Sequence, residues 1–118
     1  SNLESMDSGI KTLIEYPTTN RKIVVIGDML ELGKNKKKYH KDIAKLLDNE
    51  NINAIFAFGK LSEDTIKNIF SNHIHKEFYN DKKLLIKDLK QFINKNDVIY
   101  IKGSRSMKME EIIMNLDK

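Results

Sequence analysis

Two glycine-containing segments carry most of the residues that could take part in chemistry. The first, residues 27–33, contains two carboxylates, Asp28 and Glu31. A P-loop has four residues between its glycines and a Ser or Thr after its lysine, whereas here five residues intervene and Asn35 follows Lys34. The G-x-G-x-x-G pattern of dinucleotide-binding proteins is absent as well. The segment either presents both carboxylates to a ligand, or Asp28 hydrogen-bonds the following turn and Glu31 is solvated.

The second segment, residues 102–108, is basic. Gly103 lets the backbone turn sharply and approach a ligand closely. Arg105 carries a planar guanidinium suited to a carboxylate or phosphate, Lys102 adds positive charge, and Ser104 adds a hydroxyl. The free N–H groups of a following helix would also favour an anion. The alternative is an exposed basic turn in which Ser104 and Ser106 are capping serines for that helix.

Both segments follow predicted strands. Continuous apolar, largely β-branched runs that end at or beside a glycine are typical of strands buried on both faces. A shorter and more polar run predicts an edge strand. The three buried runs are residues 22–26, 54–58 and 98–101, and the edge run is residues 77–79.

Helical periodicity separates these strands. The first helix covers residues 3–16 and is ended by Pro17, and a second follows the lysine-rich stretch. Ser62 is predicted as the N-cap of the third helix and Asp81 as that of the fourth. The fifth helix runs from Met109 to Leu116.

Alternation of strands and helices predicts an α/β fold, a Rossmann-like, doubly wound, mostly parallel sheet of about four strands flanked by helices. The first three strands should lie side by side, with the fourth on the other flank of the first. The switch point then falls between residues 22–26 and 98–101. Since ligands of open α/β sheets bind outside the carboxyl ends of the strands at such a point, residues 27–33 and 102–108 become the candidate site.

The composition predicts one soluble, cytoplasmic domain. The chain has 118 residues, 40% of them hydrophobic, which can form one core without disulfides. It contains no cysteine, so a disulfide scaffold and a thiolate metal site are excluded. The longest apolar run, residues 23–26, is far below the roughly 20 residues of a membrane span, and the first residues lack the pattern of a signal peptide. We expect no membrane contact.

Nucleic acids and metal ions are not the expected ligands. The net charge is +4, but only Arg21 and Arg105 of the 21 basic residues are arginine. The densest lysine group, residues 34–41, contains one aromatic residue, so stacking platforms for bases are missing and a solvated helix start is favoured. The histidines lack a third ligand at workable spacing, with one on a helix and two in a loop before the edge strand; they are His40, His73 and His75.

The candidate segments resemble motifs of a known family, the Mur ligases, in the branch that adds D-alanyl-D-alanine. Residues 21–33, RKIVVIGDMLELG, closely resemble its R-K-I-x-V-L-G-D-M-L-E-L-G, and residues 102–110, KGSRSMKME, resemble its K-G-S-R-x-M-K-M-E. Residues 1–6 resemble the end of its Y-N-A-N-P-x-S-M motif, with Leu3 in place of proline. His40 also falls where the family often has a histidine. The similarity covers essentially the whole chain.

The resemblance implies the Rossmann-like C-terminal domain of an ATP-dependent ligase. Such a ligase activates the carboxylate of UDP-MurNAc-tripeptide as an acyl phosphate, which the amine of D-alanyl-D-alanine attacks. The N-terminal and central domains would be partners within the same chain, and the central domain would supply the P-loop and the Mg²⁺ ligands. The C-terminal domain would close the site, with Asn2 beside the nucleotide edge of the cleft. A monomer is expected.

The resemblance also implies roles for the residues of both segments. Arg105, with Ser104 and Lys102, would bind an anionic group, either a carboxylate of the incoming dipeptide or one of the precursor's peptide. Asp28 and Glu31 would face that pocket and could orient an ammonium group or the Lys102 side chain. None of these residues is expected to be catalytic.

We therefore expect a fragment of a longer ligase that is inactive alone and binds ATP weakly or not at all. A freestanding anion- or nucleotide-binding α/β module is the first alternative. A nucleic-acid-binding domain that uses the lysine-rich helix is the second, and it predicts retardation of an oligonucleotide at physiological salt.

Overall fold

The chain folds into one parallel β-sheet with helices on both faces. This is a computed structural model; it describes residues 3–116, with side chains described for residues 6–30 and 32–116. The helices are α1 (Leu3–Glu15), α2 (Lys36–Leu47), α3 (Lys60–Lys67), α4 (Lys82–Phe92) and α5 (Glu110–Met114). The strands are β1 (Lys22–Gly27), β2 (Ala54–Phe58), β3 (His75–Tyr79) and β4 (Val98–Lys102), and 3₁₀ turns cover Leu30–Asn35 and Arg105–Met107.

The strand order is β3-β2-β1-β4, and all three neighbouring pairs are parallel. In the centre of the sheet Val24 pairs with Ile55 on one side and with Tyr100 on the other. The predicted α/β class, the order of the strands and the switch point between β1 and β4 are confirmed. The chain reverses direction across the sheet only after β3, so the right-handed crossovers typical of parallel strands account for α2 and α3 on one face and α4 on the other.

Apolar residues on the two faces of the sheet form two cores. Every residue of β1 is buried, in keeping with the uninterrupted apolar run of residues 23–26, and the buried Lys22 donates through Nζ to the Ile14 carbonyl at 2.6 Å. Alternate side chains point to opposite faces. One face of β1 and β2 packs against α1 and α2 through Val24, Ile26, Ile55 and Ala57. The other face packs against α4 and α5 through Ile23, Val25, Ala54 and Phe56.

Some predicted boundaries are wrong, for identifiable reasons. The edge strand starts at His75, two residues earlier than predicted, because its backbone N–H extends the ladder to the Asn53 carbonyl at 3.0 Å. The His75 ring is therefore in a strand rather than a loop, and it stacks on Phe92 with a centroid distance of 4.7 Å. Helix α2 begins at Lys36, inside the lysine group, since exposed lysines are good helix formers. Helix α5 ends at Met114, short of the predicted residue 116.

The predicted N-cap of α3 is also wrong. The helix begins at Lys60 with Gly59 in the N-cap position, so Ser62 lies within its first turn and is fully buried. Within the described part of the chain, the Ser62 hydroxyl has no hydrogen-bond partner. By contrast, Asp81 caps α4 as predicted, accepting a hydrogen bond from the Lys83 N–H at 2.9 Å.

Candidate functional site at the switch point

The carboxyl ends of β1 and β4 lie side by side. Ile26 pairs with Lys102, and the glycines that follow these residues come into close contact. A Cβ built on Gly103 would lie 3.1 Å from the Gly27 Cα, and one built on Gly27 would lie 2.6 Å from the Met109 sulfur. A side chain at Gly103 would press on the backbone of Gly27, and one at Gly27 would displace the Met109 side chain, so glycine favours the close approach of the two strand ends. The contact brings together two segments, which we call the β1 loop (residues 27–33) and the β4 loop (residues 102–108).

Ser104 joins the two loops. Its backbone N–H donates to the Asp28 carbonyl at 3.0 Å, and its Oγ accepts a hydrogen bond from the Leu30 N–H at 2.6 Å. The residue is only 1% exposed. The predicted contact between Ser104 and a substrate is untested, and the hydroxyl already serves as an acceptor within the protein.

Asp28 connects the β1 loop to α3. Its Oδ1 accepts from the Ser62 N–H at 2.7 Å and its Oδ2 from the Leu61 N–H at 3.2 Å. These donors belong to the first turn of the helix, where N–H groups have no partner within the helix and negative charge is favourable. The carboxylate thus performs the cap function predicted for Ser62. The second interpretation of the sequence predicted that Asp28 hydrogen-bonds the turn that follows it. The carboxylate accepts hydrogen bonds from α3 instead.

His40, in α2, is hydrogen-bonded to the β1 loop. Its buried Nε2 accepts a hydrogen bond from the Met29 N–H at 3.0 Å, which assigns the ring proton to Nδ1. Nδ1 lies 3.3 Å from Thr65 Oγ1, which itself donates to the His40 carbonyl at 2.7 Å. Burial lowers the pKa of His40, an effect that the charges of Asp28 and Asp64 partly oppose. The spacing of the histidines predicted no metal-binding role for His40, although His40 falls where the family often has a histidine.

Arg105 is an exposed cation of the β4 loop. Its guanidinium forms no hydrogen bond or ion pair with any side chain that the structure describes, and the partly exposed Lys102 side chain is similarly unpaired within residues 3–116. In the second 3₁₀ turn the Met107 and Lys108 N–H groups donate to the carbonyls of Ser104 and Arg105. In the first turn of α5 the Glu111 and Ile112 N–H groups donate to the carbonyls of Lys108 and Met109. The expected contribution of free helix N–H groups to anion binding stays a prediction.

Two of the predicted site residues cannot be placed. Asn2 lies outside the described residues, and only the backbone of Glu31 is described, in the first 3₁₀ turn. Their roles stay predictions. Among the described residues no group of three or more His, Asp or Glu side chains could hold a metal ion. None of the helices between residues 3 and 116 is both long and apolar enough to cross a membrane.

An open cleft of about 650 Å³ adjoins the β4 loop on the side of α4 and α5. Lys82 lies on its wall, where its Nζ is 2.8 Å from Glu111 Oε1, 3.2 Å from the Lys108 carbonyl and 5.6 Å from the centre of the Phe58 ring. The hydrogen bond from Lys82 lowers the pKa of Glu111. Sequence reasoning missed this contact because Lys82 is one of many lysines and lies 26 residues before its carbonyl partner.

Residues 1–105 match the family described as Mur ligase, glutamate ligase domain. The chain belongs to the Mur ligase family. The match includes both loops of this Mur ligase domain up to Arg105 and ends before α5. The resemblance inferred from the two sequence motifs is confirmed.

Three curated relatives of the Mur ligase domain have the same name. The domain is 43% identical to UDP-N-acetylmuramoyl-tripeptide–D-alanyl-D-alanine ligase of Buchnera aphidicola subsp. Acyrthosiphon pisum, over 100% of this chain and 25% of that protein. The ligase of the same name from Bacillus subtilis is 33% identical over 95% of this chain and 25% of its own length. The Escherichia coli ligase is 32% identical over 100% and 25%. The chain thus spans about a quarter of the length of these relatives.

Solved structures agree with the fold. MurF ligase from Thermotoga maritima, crystallised in complex with ADP, superposes with a TM-score of 0.75 and 28% identity, over 98% of this chain and 26% of that chain. MurF from Acinetobacter baumannii gives a TM-score of 0.76 at 23% identity, over 98% and 26%. Because the Acinetobacter baumannii protein is only 23% identical, that similarity concerns the fold alone.

Proposed function

We propose that this Mur ligase domain is part of a ligase that joins D-alanyl-D-alanine to UDP-MurNAc-tripeptide with ATP. The observation that carries the proposal is 43% identity over the full length of the chain to a ligase of that name. Relatives from distant bacteria, at 33% and 32% identity, have the same name. The ADP complex of the similar Thermotoga maritima MurF supports the use of ATP.

The described residues do not fit a self-contained site for ATP and Mg²⁺. The chain has no P-loop motif, and no described cluster of side chains could hold a metal ion. We therefore assign nucleotide and Mg²⁺ binding mainly to the central domain of the full-length ligase, and a partial contact to the amino end of this chain at Asn2. The chain alone should not catalyse ligation.

The contribution of this chain is a cationic surface at the switch point. The Arg105 guanidinium, which no described side chain engages, has donors in a geometry that matches a carboxylate, and Lys102 lies on the strand end beside it. We assign these residues to a carboxylate of one substrate, either the dipeptide or the precursor's peptide. Glu31 and Asp28 would supply negative charge nearby, with Asp28 already hydrogen-bonded to α3.

The test is a ligase assay on the whole gene product that carries this chain. Phosphate release from ATP is measured with UDP-MurNAc-tripeptide and D-alanyl-D-alanine, and then with D-alanine or L-alanyl-L-alanine as the amino substrate. We expect turnover that depends on D-alanyl-D-alanine. Turnover with a different amino substrate alone would contradict the proposed specificity. Tight ATP binding by the 118-residue chain alone would favour the freestanding nucleotide-binding module instead.

A further inference from the structure

We propose that Ser104 is a positioning residue, which clamps the β4 loop onto the β1 loop and so fixes the backbone that presents Arg105. Ser104 does not itself bind substrate. This inference rests on the proposed function, because it assigns Ser104 a role through the substrate-binding Arg105.

Three polar groups of Ser104 form hydrogen bonds near the loops, and two of these bonds join the β4 loop to the β1 loop. Its N–H donates to Asp28 in the β1 loop, its Oγ accepts from Leu30 in the same loop, and its carbonyl accepts from Met107 at 2.9 Å. The first two bonds run in opposite directions between the loops, which fixes both their separation and their relative orientation. Because the residue is 1% exposed, a substrate in solution has no access to the hydroxyl without displacing the loop.

The β1 loop is a firm support for this clamp because three consecutive residues are anchored to three different parts of the fold. The Asp28 carboxylate accepts two N–H groups of α3. The Met29 N–H donates to His40 in α2, and the Leu30 N–H donates to Ser104. The β4 loop is thus held against a loop that is itself hydrogen-bonded to two helices, α2 and α3.

Arg105 follows the clamped residue directly and has the opposite environment. Its side chain is exposed and has no partner among the described residues, so only the backbone controls where the guanidinium can reach. Fixing that backbone lowers the entropy lost when the guanidinium engages a carboxylate, and a displacement of about 1 Å can cost on the order of a hundredfold in rate. The buried Ser104 therefore fixes the backbone from which the exposed Arg105 extends, and the two residues act together.

The experiment is a double-mutant cycle on the whole gene product. Ser104→Ala removes the acceptor for Leu30, Arg105→Ala removes the guanidinium, and the third protein carries both changes. Ser106→Ala is the matched control, because Ser106 lies on the same loop but is exposed. We expect Ser104→Ala to lower kcat/KM by about ten- to a hundredfold, the control to match wild type, and the double variant to equal Arg105→Ala.

Hydrogen exchange, followed by mass spectrometry on peptides that span residues 27–34, checks the clamp without relying on activity. Ser104→Ala should accelerate exchange at the Leu30 amide, whereas Ser106→Ala and Arg105→Ala should not. Ser104→Thr, which keeps the hydroxyl, should restore slow exchange and kcat/KM together if the variant is as stable as wild type.

Three results would overturn the proposal. These are wild-type kinetics in Ser104→Ala, unchanged exchange at Leu30, or an equal loss from Ser104→Ala whether or not Arg105 is present. Equal losses would mean that Ser104 acts independently of Arg105, through stability or direct contact. If the wild-type protein had no ligase activity, the proposed function would fail first, and the exchange data would still report on the clamp itself.

Discussion

Gly59 lies against the Asp28 carboxylate, at a distance that leaves no room for a side chain. A Cβ built on Gly59 would be 2.5 Å from the Asp28 Cγ, and the glycine has φ 107° and ψ 156°. Both the contact and the backbone conformation require glycine at the start of α3. This contact also places the carboxylate beside the first-turn N–H groups of α3, from which it accepts hydrogen bonds.

Gly59→Ala should destabilise the protein by at least about 2 kcal/mol, since a strained backbone costs roughly 1–3 kcal/mol and the Asp28 cap is displaced as well. Urea denaturation measures the loss. Gly33→Ala is the control, because Gly33 also has a positive φ, 60°, but no atom lies within 4 Å of its built Cβ. Equal losses in the two variants would show that the contact with Asp28 contributes nothing.

Stability should decrease as the pH falls through about 6.5, because of His40. The pKa of His40 is lowered in the folded protein, chiefly by burial. Between the folded pKa and the unfolded value of about 6.5, the unfolded chain binds more protons, so its free energy falls relative to the folded state. A proton on Nε2 would also face the Met29 N–H.

Urea denaturation at pH 7.5 and 5.5 checks this expectation. His40→Gln should be less stable than wild type at pH 7.5 and should lose less stability between the two pH values. The exposed His73 provides the control, since His73→Gln should keep the wild-type dependence. A pH dependence that survives in His40→Gln unchanged would refute the assignment.

The two arginines should differ in their effect on stability. Arg21 binds Asp97 through Nε at 3.1 Å and Nη2 at 2.7 Å, donates to the Phe92 carbonyl and lies 4.4 Å from the centre of the Phe92 ring. The hydrogen bond to Asp97 raises the pKa of Arg21. Arg21→Ala should cost about 1.5–3 kcal/mol because it removes the charged hydrogen bonds to the Asp97 carboxylate, whose side chain is only 5% exposed. Arg105→Ala should stay within about 0.5 kcal/mol of wild type, as calorimetry or urea denaturation of both variants can show.

For ligase kinetics we expect the larger effect from the Arg105 variant and not from the Arg21 variant. Arg105→Ala should raise KM for one substrate or lower kcat strongly, by about tenfold or more, because a charged hydrogen bond to a carboxylate contributes roughly 1.5–3 kcal/mol. Arg105→Lys should recover only part of the loss, since lysine lacks the planar fork. Comparing KM for the dipeptide with KM for the precursor identifies the bound carboxylate. Lys37→Ala, on the exposed start of α2, is the charge-matched control; normal kinetics in both Arg105 variants would refute the role of the arginine.

The sequence by itself determined the sheet and the position of the two loops that form the candidate site. Apolar runs that end near Gly27, Gly59 and Gly103 mark buried strands, and the handedness of the crossovers leaves few ways to arrange them. The order of the strands then places the β1 loop beside the β4 loop. These features depend on local periodicity and on a chirality that all α/β proteins share, so they could be predicted without coordinates.

Only the tertiary structure decided what the side chains in those loops contact. Leu30 and Ser104 are 74 residues apart, and Asp28 and Ser62 are 34 residues apart, so no local pattern links them. Every helix has unpaired N–H groups in its first turn, and a serine within that turn looks like a cap. Which group satisfies them depends on the path of a loop from another strand. For that reason Asp28, and not Ser62, caps α3, and Ser104 was predicted at the site without its buried partners.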